Sequence, residues 1–255
     1  MLYSAQFKRG LFVITQVLAV SEDSVAHAAN ILLEGGVVCI PTDTVYGLAA
    51  CAELPGAVEK IFEIKNRPFH SPIPVLLNSQ SQICKFVDEF PPSASGLADQ
   101  FWPGALTIIL RKSSLLPDVL TSGLKTAAFR VPDHDVPRIL CKAISSAITG
   151  TSANKSGSPP ATNAEEAFSQ LKGSSVDLIL DGGVTNSRVP SSIIDCSETP
   201  PRLIRAGIIL EQELKWIDDH IDGKPYGVDV LIPNKLSLIH ISEPTRRYAI
   251  SYAVF

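Results

Sequence analysis

The chain has 255 residues, 45% of them hydrophobic, and its 26 acidic and 22 basic side chains give a formal net charge of −4. This length fits one large α/β domain or two small ones, and the apolar content supports a folded core, which argues against intrinsic disorder. The net negative charge argues against a protein that relies on general affinity for nucleic acid, although it leaves room for a local basic pocket.

The cysteines and the apolar segments bear on where in the cell the protein is located. The five cysteines show no C-x-x-C spacing and most lie in apolar runs, so we predict reduced thiols and no zinc site. No apolar run reaches the ~18 residues of a membrane-spanning helix, so we expect no membrane contact. Segment 11–20 follows Lys8 and Arg9, and we interpret it as a first strand. The prediction is a cytoplasmic protein, with a mitochondrial one as the alternative if this segment belongs to a transit peptide.

Strands and helices alternate along the chain. Apolar runs predict strands at 11–20, 37–40, 73–77, 105–110, 126–131, 147–149, 176–180, 192–195 and 202–204. Helical periodicity predicts a helix between the N-cap Ser21 and Gly35, and others at 55–65, 81–87, 93–101, 136–144, 164–171 and 210–221. Several neighbouring strands lack a helix between them. The pattern therefore predicts an α/β fold with a mixed sheet flanked by helices.

The C-terminal segment differs from the rest of the chain. Beyond Gly223 the periodic pattern weakens, and residues 236–246 (LSLIHISEPTR) resemble a translated sequencing adapter. We therefore predict one domain at 1–222 and a C-terminal extension at 223–255, of which residues 236–255 are not native.

Several familiar catalytic motifs are absent from the sequence. It contains no P-loop, no G-x-G-x-x-G after a strand, no H-E-x-x-H and no G-x-S-x-G, and its five histidines are scattered. An enzyme with this sequence would work without a protein nucleophile and without a fixed metal site.

Two loops that follow strands are rich in hydroxyl groups. Residues 41–48 (PTDTVYGL) follow the predicted strand 37–40, and residues 151–157 (TSANKSG) follow the strand 147–149. Small hydroxyl residues and glycines let a ligand approach the backbone closely. The alternative interpretation is an ordinary turn in each place, with Asp43 as a helix cap.

Four cationic residues stand at the ends of predicted elements. Lys65 and Arg67 end the helix 55–65, where they suit either the helix dipole or a shared anion. Arg130 and Arg205 end apolar strands, and each needs a carboxylate that comes from the protein or from a ligand. Together with the hydroxyl-rich loops, these cations favour a site for a polyphosphate and a small zwitterion.

Eight motifs in a fixed order carry a family resemblance. They are PTDTVYGL, KIFEIKNRP, FWPGALTIIL, FRVPDH, TSANKSGSPPAT, LILDGG, SSIID and LIRAG, and they span about residues 17–210. The set resembles the YrdC/TsaC family of threonylcarbamoyl-adenylate synthases in its short, single-domain form. The resemblance implies that 1–222 is a YrdC-like catalytic domain: a twisted mixed sheet flanked by helices around a concave electropositive cavity.

The resemblance also implies a reaction. An L-threonylcarbamoyladenylate synthase, a nucleotidyltransferase, condenses L-threonine, bicarbonate and ATP, with Mg²⁺ carried by ATP, into threonylcarbamoyl-AMP and pyrophosphate. A downstream tRNA threonylcarbamoyl-transferase complex then uses the product for t6A37 modification. One alternative is a YrdC-type module that binds double-stranded RNA, through weak RNA contacts, without synthase activity. Another is a carbamoyl-phosphate-using relative, which the cysteine spacing disfavours.

Site residues follow from the same resemblance, position by position. The implied catalytic residues are Lys65 and Arg67, and no residue is assigned to a metal. The implied threonine contacts are Thr44, Arg130, Ser152 and Ser191. The implied ATP contacts are Arg67, Ser71, Thr126, Asn154, Thr162 and Arg205. Two departures concern the threonine side: Asp43 stands where many relatives have Glu, and Leu76 stands where some have His.

The sequence of the C-terminal segment leads to a first prediction. Because residues 236–246 resemble adapter-derived sequence, we expect the protein purified from its natural source to lack residues 236–255. Intact-mass spectrometry checks this, and a measured mass that includes the segment would show that it is native.

Overall fold

A computed structural model describes residues 2–8, 11–67, 71–185, 187 and 189–209. The predicted helix at 210–221, the extension at 223–255 and the suspected tail lie outside these residues. The strands are β1 (Leu2–Lys8), β2 (Leu11–Ala19), β3 (Val38–Ile40), β4 (Gly47–Ala49), β5 (Val75–Leu76), β6 (Leu106–Arg111), β7 (Thr126–Arg130), β8 (Ile148–Thr149), β9 (Thr151–Ser152), β10 (Leu178–Asp181), β11 (Ser192–Asp195) and β12 (Arg202–Arg205). The α-helices are α1 (Glu22–Leu33), α2 (Pro55–Lys65), α3 (Pro92–Phe101), α4 (Asp118–Thr121), α5 (Asp135–Ala143) and α6 (Ala164–Leu171), with a 3₁₀ helix at Gln80–Lys85.

The strands form two mixed sheets of six strands each. Their orders are β1-β2-β10-β3-β4-β9 and β12-β11-β6-β7-β5-β8. Parallel pairs (β2 with β10, β10 with β3, β6 with β11, β5 with β7) occur beside antiparallel ones such as β3 with β4 and β6 with β7. The expectation of a mixed α/β fold is therefore confirmed, with the strands divided between two sheets.

The chain crosses from one sheet to the other at Gly150. Residues 147–149 run beside residues 50–52: the Thr149 amide donates to the Ala50 carbonyl at 2.9 Å, and Cys51 forms a bridge with Ile148. A Cβ atom on Gly150 would lie 2.6 Å from Cγ of Leu76, so only glycine fits at this crossing. Position 76, where some relatives have His, is thus a buried core position in this chain.

Local sequence signals explain the helix ends. The Ser24 amide donates to Oγ of Ser21 at 3.1 Å, completing the predicted N-cap of α1, and Gly35 follows the helix with a φ of 77°. Helix α2 begins with Pro55, whose missing N–H costs nothing at that position. Within the described residues, no helix combines the length and the apolar character needed to cross a membrane.

Some sequence-based predictions were wrong in detail. Asp43 caps no helix, because the chain continues from residue 46 into strand β4, which the sequence pattern did not reveal. The strand expected at 73–77 is reduced to β5, and the helix expected at 81–87 is the 3₁₀ helix Gln80–Lys85. Strand β9 and helix α4 were also missed, because they have only two and four residues, too few for a periodic pattern to repeat.

The central strands of the first sheet are buried on both faces. Val38 and Ile40 of β3 pack with α1 and α5, whereas Val37 and Cys39 face the larger core, which includes β6 and β7. Leu178 and Ile179 of β10 divide between the same two cores. This two-sided burial explains why these strands are continuous apolar runs without alternation.

Helix α1 provides a matched pair for a test of core packing. Leu32 is fully buried, whereas its neighbour Leu33 is 54% exposed. We expect Leu32→Ala to lower the free energy of unfolding by about 2–5 kcal/mol, because it leaves a cavity under the helix. Leu33→Ala, the control, should change it by less than about 0.5 kcal/mol. Urea unfolding measures both, and equal effects would contradict the assignment of the buried face.

Candidate active site

Three loops meet around the side chain and backbone of Tyr46. Its amide donates to the Ala161 carbonyl at 2.9 Å, and its carbonyl accepts from the Ala153 amide at 2.8 Å. Its buried hydroxyl donates to the Gly183 carbonyl at 2.7 Å and accepts from the Gly182 amide at 3.0 Å. The loop after β3 (41–46), the loop after β9 (153–162) and the loop after β10 (182–185) are therefore held together by one residue.

The loop after β3 directs two hydroxyl groups inward. Oγ1 of Thr42 donates to the Val45 carbonyl at 2.7 Å and accepts from the Thr44 amide at 3.1 Å, which closes a compact turn. Thr44 is only 3% exposed, and its hydroxyl oxygen lies 3.1 Å from that of Thr42. The turn thus fixes the Thr44 hydroxyl toward Arg130.

Arg130, at the end of β7, has an internal carboxylate partner. Its Nη2 lies 2.6 Å from Oδ1 of Asp43, and the two side chains form an ion pair. Its Nε donates to the Gly104 carbonyl at 2.8 Å, and its Nη1 donates to Oγ1 of Thr44 at 3.1 Å. Burial lowers the pKa of Arg130, and the negative charge of Asp43 opposes this shift. A guanidinium nevertheless stays charged at any ordinary pH. The carboxylate that the sequence left unassigned is therefore, in this structure, Asp43.

Arg205, at the end of β12, lies near Arg130 and has no carboxylate of its own. Its Nη2 and Nε donate to the Ser191 carbonyl at 2.9 and 3.2 Å. Burial, and then the charge of Arg130, lower the pKa of Arg205. The Ser191 hydroxyl lies 2.8 Å from that of the buried Thr107. No ion pair links Arg205 to any carboxylate of the described residues, so Asp43 pairs with Arg130 alone.

Lys65, the last residue of α2, lies beneath strand β9. Its ammonium is 3% exposed and donates to the carbonyls of Ser152 and Asn154 (2.9 Å to the latter) and to Oδ1 of Asn154 at 3.2 Å. Burial, followed by the charge of Arg67, lowers the pKa of Lys65 to about 7. Three acceptors match the three donors of an ammonium, so Lys65 fixes the shape of the loop that carries Ser152 and Asn154.

Arg67 remains only weakly bonded within the protein. Its two hydrogen bonds, to Oγ1 of Thr151 and to the Pro72 carbonyl, are both 3.5 Å long. Burial lowers its pKa, and no ion pair links it to a carboxylate of the described residues. Lys65 and Arg67, whose spacing suggested a shared anion, therefore differ: Lys65 is saturated by protein oxygens, and Arg67 is available for an anion.

A cavity of about 480 Å³ opens beside these groups. Its lining comes from Pro41, Thr42, Asp43, Gly104, Ala105, Asp133, His134, Gly182, Val184, Thr185 and Ile208. None of the site residues implied by the resemblance lines it directly; Thr44 and Arg130 lie behind Asp43. Sequence reasoning missed Gly104, Asp133, His134 and Gly182 as wall residues, although the motifs FWPGALT, FRVPDH and LILDGG contained them.

The remaining implied residues occupy two places. Thr162 lies behind the cavity wall: its carbonyl accepts from the Thr185 amide at 2.8 Å, and its hydroxyl donates to Glu166 at 2.9 Å. Thr126 lines a separate recess of about 30 Å³ together with Pro72, which directly follows Ser71. The implied ATP contacts are therefore divided between the loop after β9, the cavity wall and this recess.

A comparison with known proteins decides the family. The family model Sua5_yciO_yrdC, described as telomere recombination, matches residues 30–207. The chain belongs to the Sua5/YciO/YrdC family. Its motifs PTDTVYGL, TSANKSG and LIRAG all lie within the matched range.

Two curated members of the Sua5/YciO/YrdC family are longer than this chain. The threonylcarbamoyl-AMP synthase of Pyrococcus abyssi is 38% identical over 213 residues, which are 83% of this chain and 62% of that protein. The threonylcarbamoyl-AMP synthase of Bacillus subtilis is 38% identical over 211 residues, which are 82% of this chain and 61% of that protein. The chain thus spans less than two thirds of the length of these two relatives.

Solved structures of the Sua5/YciO/YrdC family share the fold. The crystal structure of P. abyssi Sua5 complexed with L-threonine has a TM-score of 0.76 and 38% identity, covering 81% of this chain and 61% of that one. The crystal structure of E. coli YciO has a TM-score of 0.69 and 26% identity, covering 76% of this chain and 96% of that one. These likenesses confirm the expected YrdC-like α/β architecture.

The buried Lys65 ammonium generates a pH prediction. Its pKa is about 7 in the folded chain, against an ordinary value of 10.5 for a lysine, so between these pH values the unfolded chain binds more protons. The free energy of unfolding of the wild type, relative to Lys65→Met, should therefore rise when the pH is raised from about 6 to about 8.5. Urea unfolding at several pH values measures this difference, and Lys60→Met, an exposed lysine of α2, is the matched control. A difference that falls with pH would contradict the folded-state pKa.

Proposed function

We propose that the chain is an L-threonylcarbamoyladenylate synthase, a nucleotidyltransferase that condenses L-threonine, bicarbonate and ATP into threonylcarbamoyl-AMP and pyrophosphate. The observation that carries this proposal is the pairing of two features at one site. Arg130 donates a hydrogen bond to the hydroxyl of Thr44 and would hold a substrate carboxylate, and Arg67 forms no ion pair with a carboxylate of the described residues. The synthase names of the relatives and the L-threonine complex of P. abyssi Sua5 support the same reaction over RNA binding alone.

Threonine would lie on the side of the site that holds Arg130. The carboxylate would bind the Arg130 guanidinium, because a guanidinium matches a carboxylate with two parallel N–H donors. Thr44, Ser152 and Ser191 would supply hydroxyl partners for the rest of the amino acid. Arg205, which lies near Arg130, adds positive charge that favours an anionic substrate.

ATP would lie on the side of the site that holds Arg67 and the loop after β9. Arg67 would hold the phosphates, Lys65 would keep the loop in place, and Ser71, Thr126, Asn154, Thr162 and Arg205 are the further proposed nucleotide contacts. Mg²⁺ would arrive with ATP. An electropositive site remains part of the proposal, and it is supported by Arg67 and Arg205, which form no ion pair with a carboxylate of the described residues.

The reaction needs positioning and charge stabilisation more than a protein nucleophile. The neutral threonine amine adds to CO₂ derived from bicarbonate and loses a proton, which gives a carbamate. A carbamate oxygen then forms a bond to the α-phosphorus of ATP, while the bond to the pyrophosphate leaving group breaks. The cationic groups would stabilise the charge that develops on the phosphate oxygens.

The product would pass to a tRNA threonylcarbamoyl-transferase complex for t6A37 modification. We place the protein in the cytoplasm, with the mitochondrion as the alternative, on the basis of its reduced-cysteine composition. A weak RNA contact beside the site is compatible with this role.

Two arginine substitutions test the synthase proposal. Arg67→Ala and Arg130→Ala should each lower threonine-dependent pyrophosphate release by about 100-fold or more, because each removes a charge that faces a substrate anion. Arg111→Ala, an exposed arginine at the end of β6, is the control and should retain normal activity. Mass detection of threonylcarbamoyl-AMP, with serine as the control substrate, completes the assay. Normal activity in both site variants, with the fold intact by circular dichroism, would refute the assignment.

A further inference from the structure

Asp43 separates Arg130 from the cavity. Asp43 lines the 480 Å³ cavity, whereas Arg130 does not and is only 6% exposed. Nη2 of Arg130 and Oδ1 of Asp43 lie 2.6 Å apart, both are buried, and neither atom has a further partner among the described residues. A ligand that enters the cavity therefore meets the Asp43 carboxylate before it can reach the guanidinium.

Two of the three nitrogen atoms of the Arg130 guanidinium already donate to the protein. Nε donates to the Gly104 carbonyl at 2.8 Å, and Nη1 donates to Oγ1 of Thr44 at 3.1 Å. The third nitrogen, Nη2, lies beside Asp43. A ligand carboxylate that pairs with Nη2 must therefore compete with the Asp43 carboxylate.

A displaced Asp43 carboxylate would need a new cation. Within the described part of the chain, Asp43 forms an ion pair only with Arg130. His134, which lies close enough to interact with Asp43, is held toward its neutral form because burial lowers its pKa. A carboxylate moved away from its cation in a partly buried site is costly, unless the ligand itself supplies a positive charge.

An α-amino acid supplies both charges. Its carboxylate can replace Asp43 on Arg130, and its ammonium, bonded to the adjacent carbon, can pair with the Asp43 carboxylate that has moved. One internal ion pair is then exchanged for two ion pairs with the ligand. A ligand that has the carboxylate but no amino group would instead leave two carboxylates competing for Arg130.

We propose that Asp43 is the residue that makes the site specific for amino-group-bearing carboxylates, by yielding Arg130 to the substrate carboxylate and accepting the substrate amino group. This inference rests on the proposed function and adds a recognition residue to it. It also explains why an acidic side chain lies against the guanidinium intended for the substrate.

Binding of two ligands by isothermal titration calorimetry tests the exchange. The ligands are L-threonine and its α-hydroxy acid analogue, which carries a hydroxyl in place of the amino group, and the protein is the full chain. Wild-type protein should prefer threonine by about 100-fold or more. In Asp43→Asn, threonine should bind about 10-fold more weakly and the hydroxy acid about 10-fold more tightly, because the internal competitor has lost its charge while the amino group has lost its partner.

A matched variant separates this effect from a general change of charge. Asp133→Asn removes the same charge from the same cavity, but Asp133 has no ion pair with Arg130. It should change the affinities of both ligands by one common factor. Asp43→Glu, which keeps the charge, should keep the preference for threonine.

The outcomes that overturn the inference are distinct from those that overturn the proposed function. If Asp43→Asn weakens both ligands by the same factor, or if Asp43→Glu loses the preference, Asp43 merely holds Arg130 in place and the inference fails alone. If the wild-type chain neither binds threonine nor forms the adenylate, the proposed function fails, and the inference fails with it.

Discussion

The burial of one ammonium group organises the region in which the chain brings its loops together. Lys65 is the last residue of α2, yet its three acceptors all belong to residues 152 and 154, which lie far away in sequence. Removing a charge from water is costly unless its donors are satisfied, so this loop must close over the helix end whenever the lysine is buried. That closure brings β9 alongside β4, and β4 continues from the loop that carries Thr44 and Tyr46. The positions of the first and second hydroxyl-rich loops are therefore not independent.

The site uses its cations in two different ways. Lys65 and Arg130 are bonded by protein oxygens, so they determine structure as well as charge. Arg67 and Arg205 have long or neutral partners, and they leave a surplus of positive charge at the site. This division agrees with a reaction in which charge stabilisation and positioning replace covalent catalysis.

The sequence predicted most of the longer elements because burial imposes a pattern on them, although it missed the seven-residue strand β1. Helices α2 and α6 and strand β11 begin and end where the apolar pattern placed them. Strands β4 and β9 have only three and two residues, and they exist because they pair with each other and with β3, which no local pattern reveals. The partners of the cations escaped prediction for the same reason: Asp43 and Arg130 are separated by 87 positions, and only the folded chain brings them together. Motifs such as FRVPDH identified the family without revealing which of their residues line the cavity.

The contact between Gly150 and Leu76 has a consequence for how this family varies. A side chain at position 150 would collide with Cγ of Leu76, and the two residues lie where the chain passes between sheets. In a relative that shares this crossing, a side chain larger than glycine at position 150 would therefore require a smaller or differently placed side chain at position 76. The two positions, 74 residues apart in the sequence, limit each other's size.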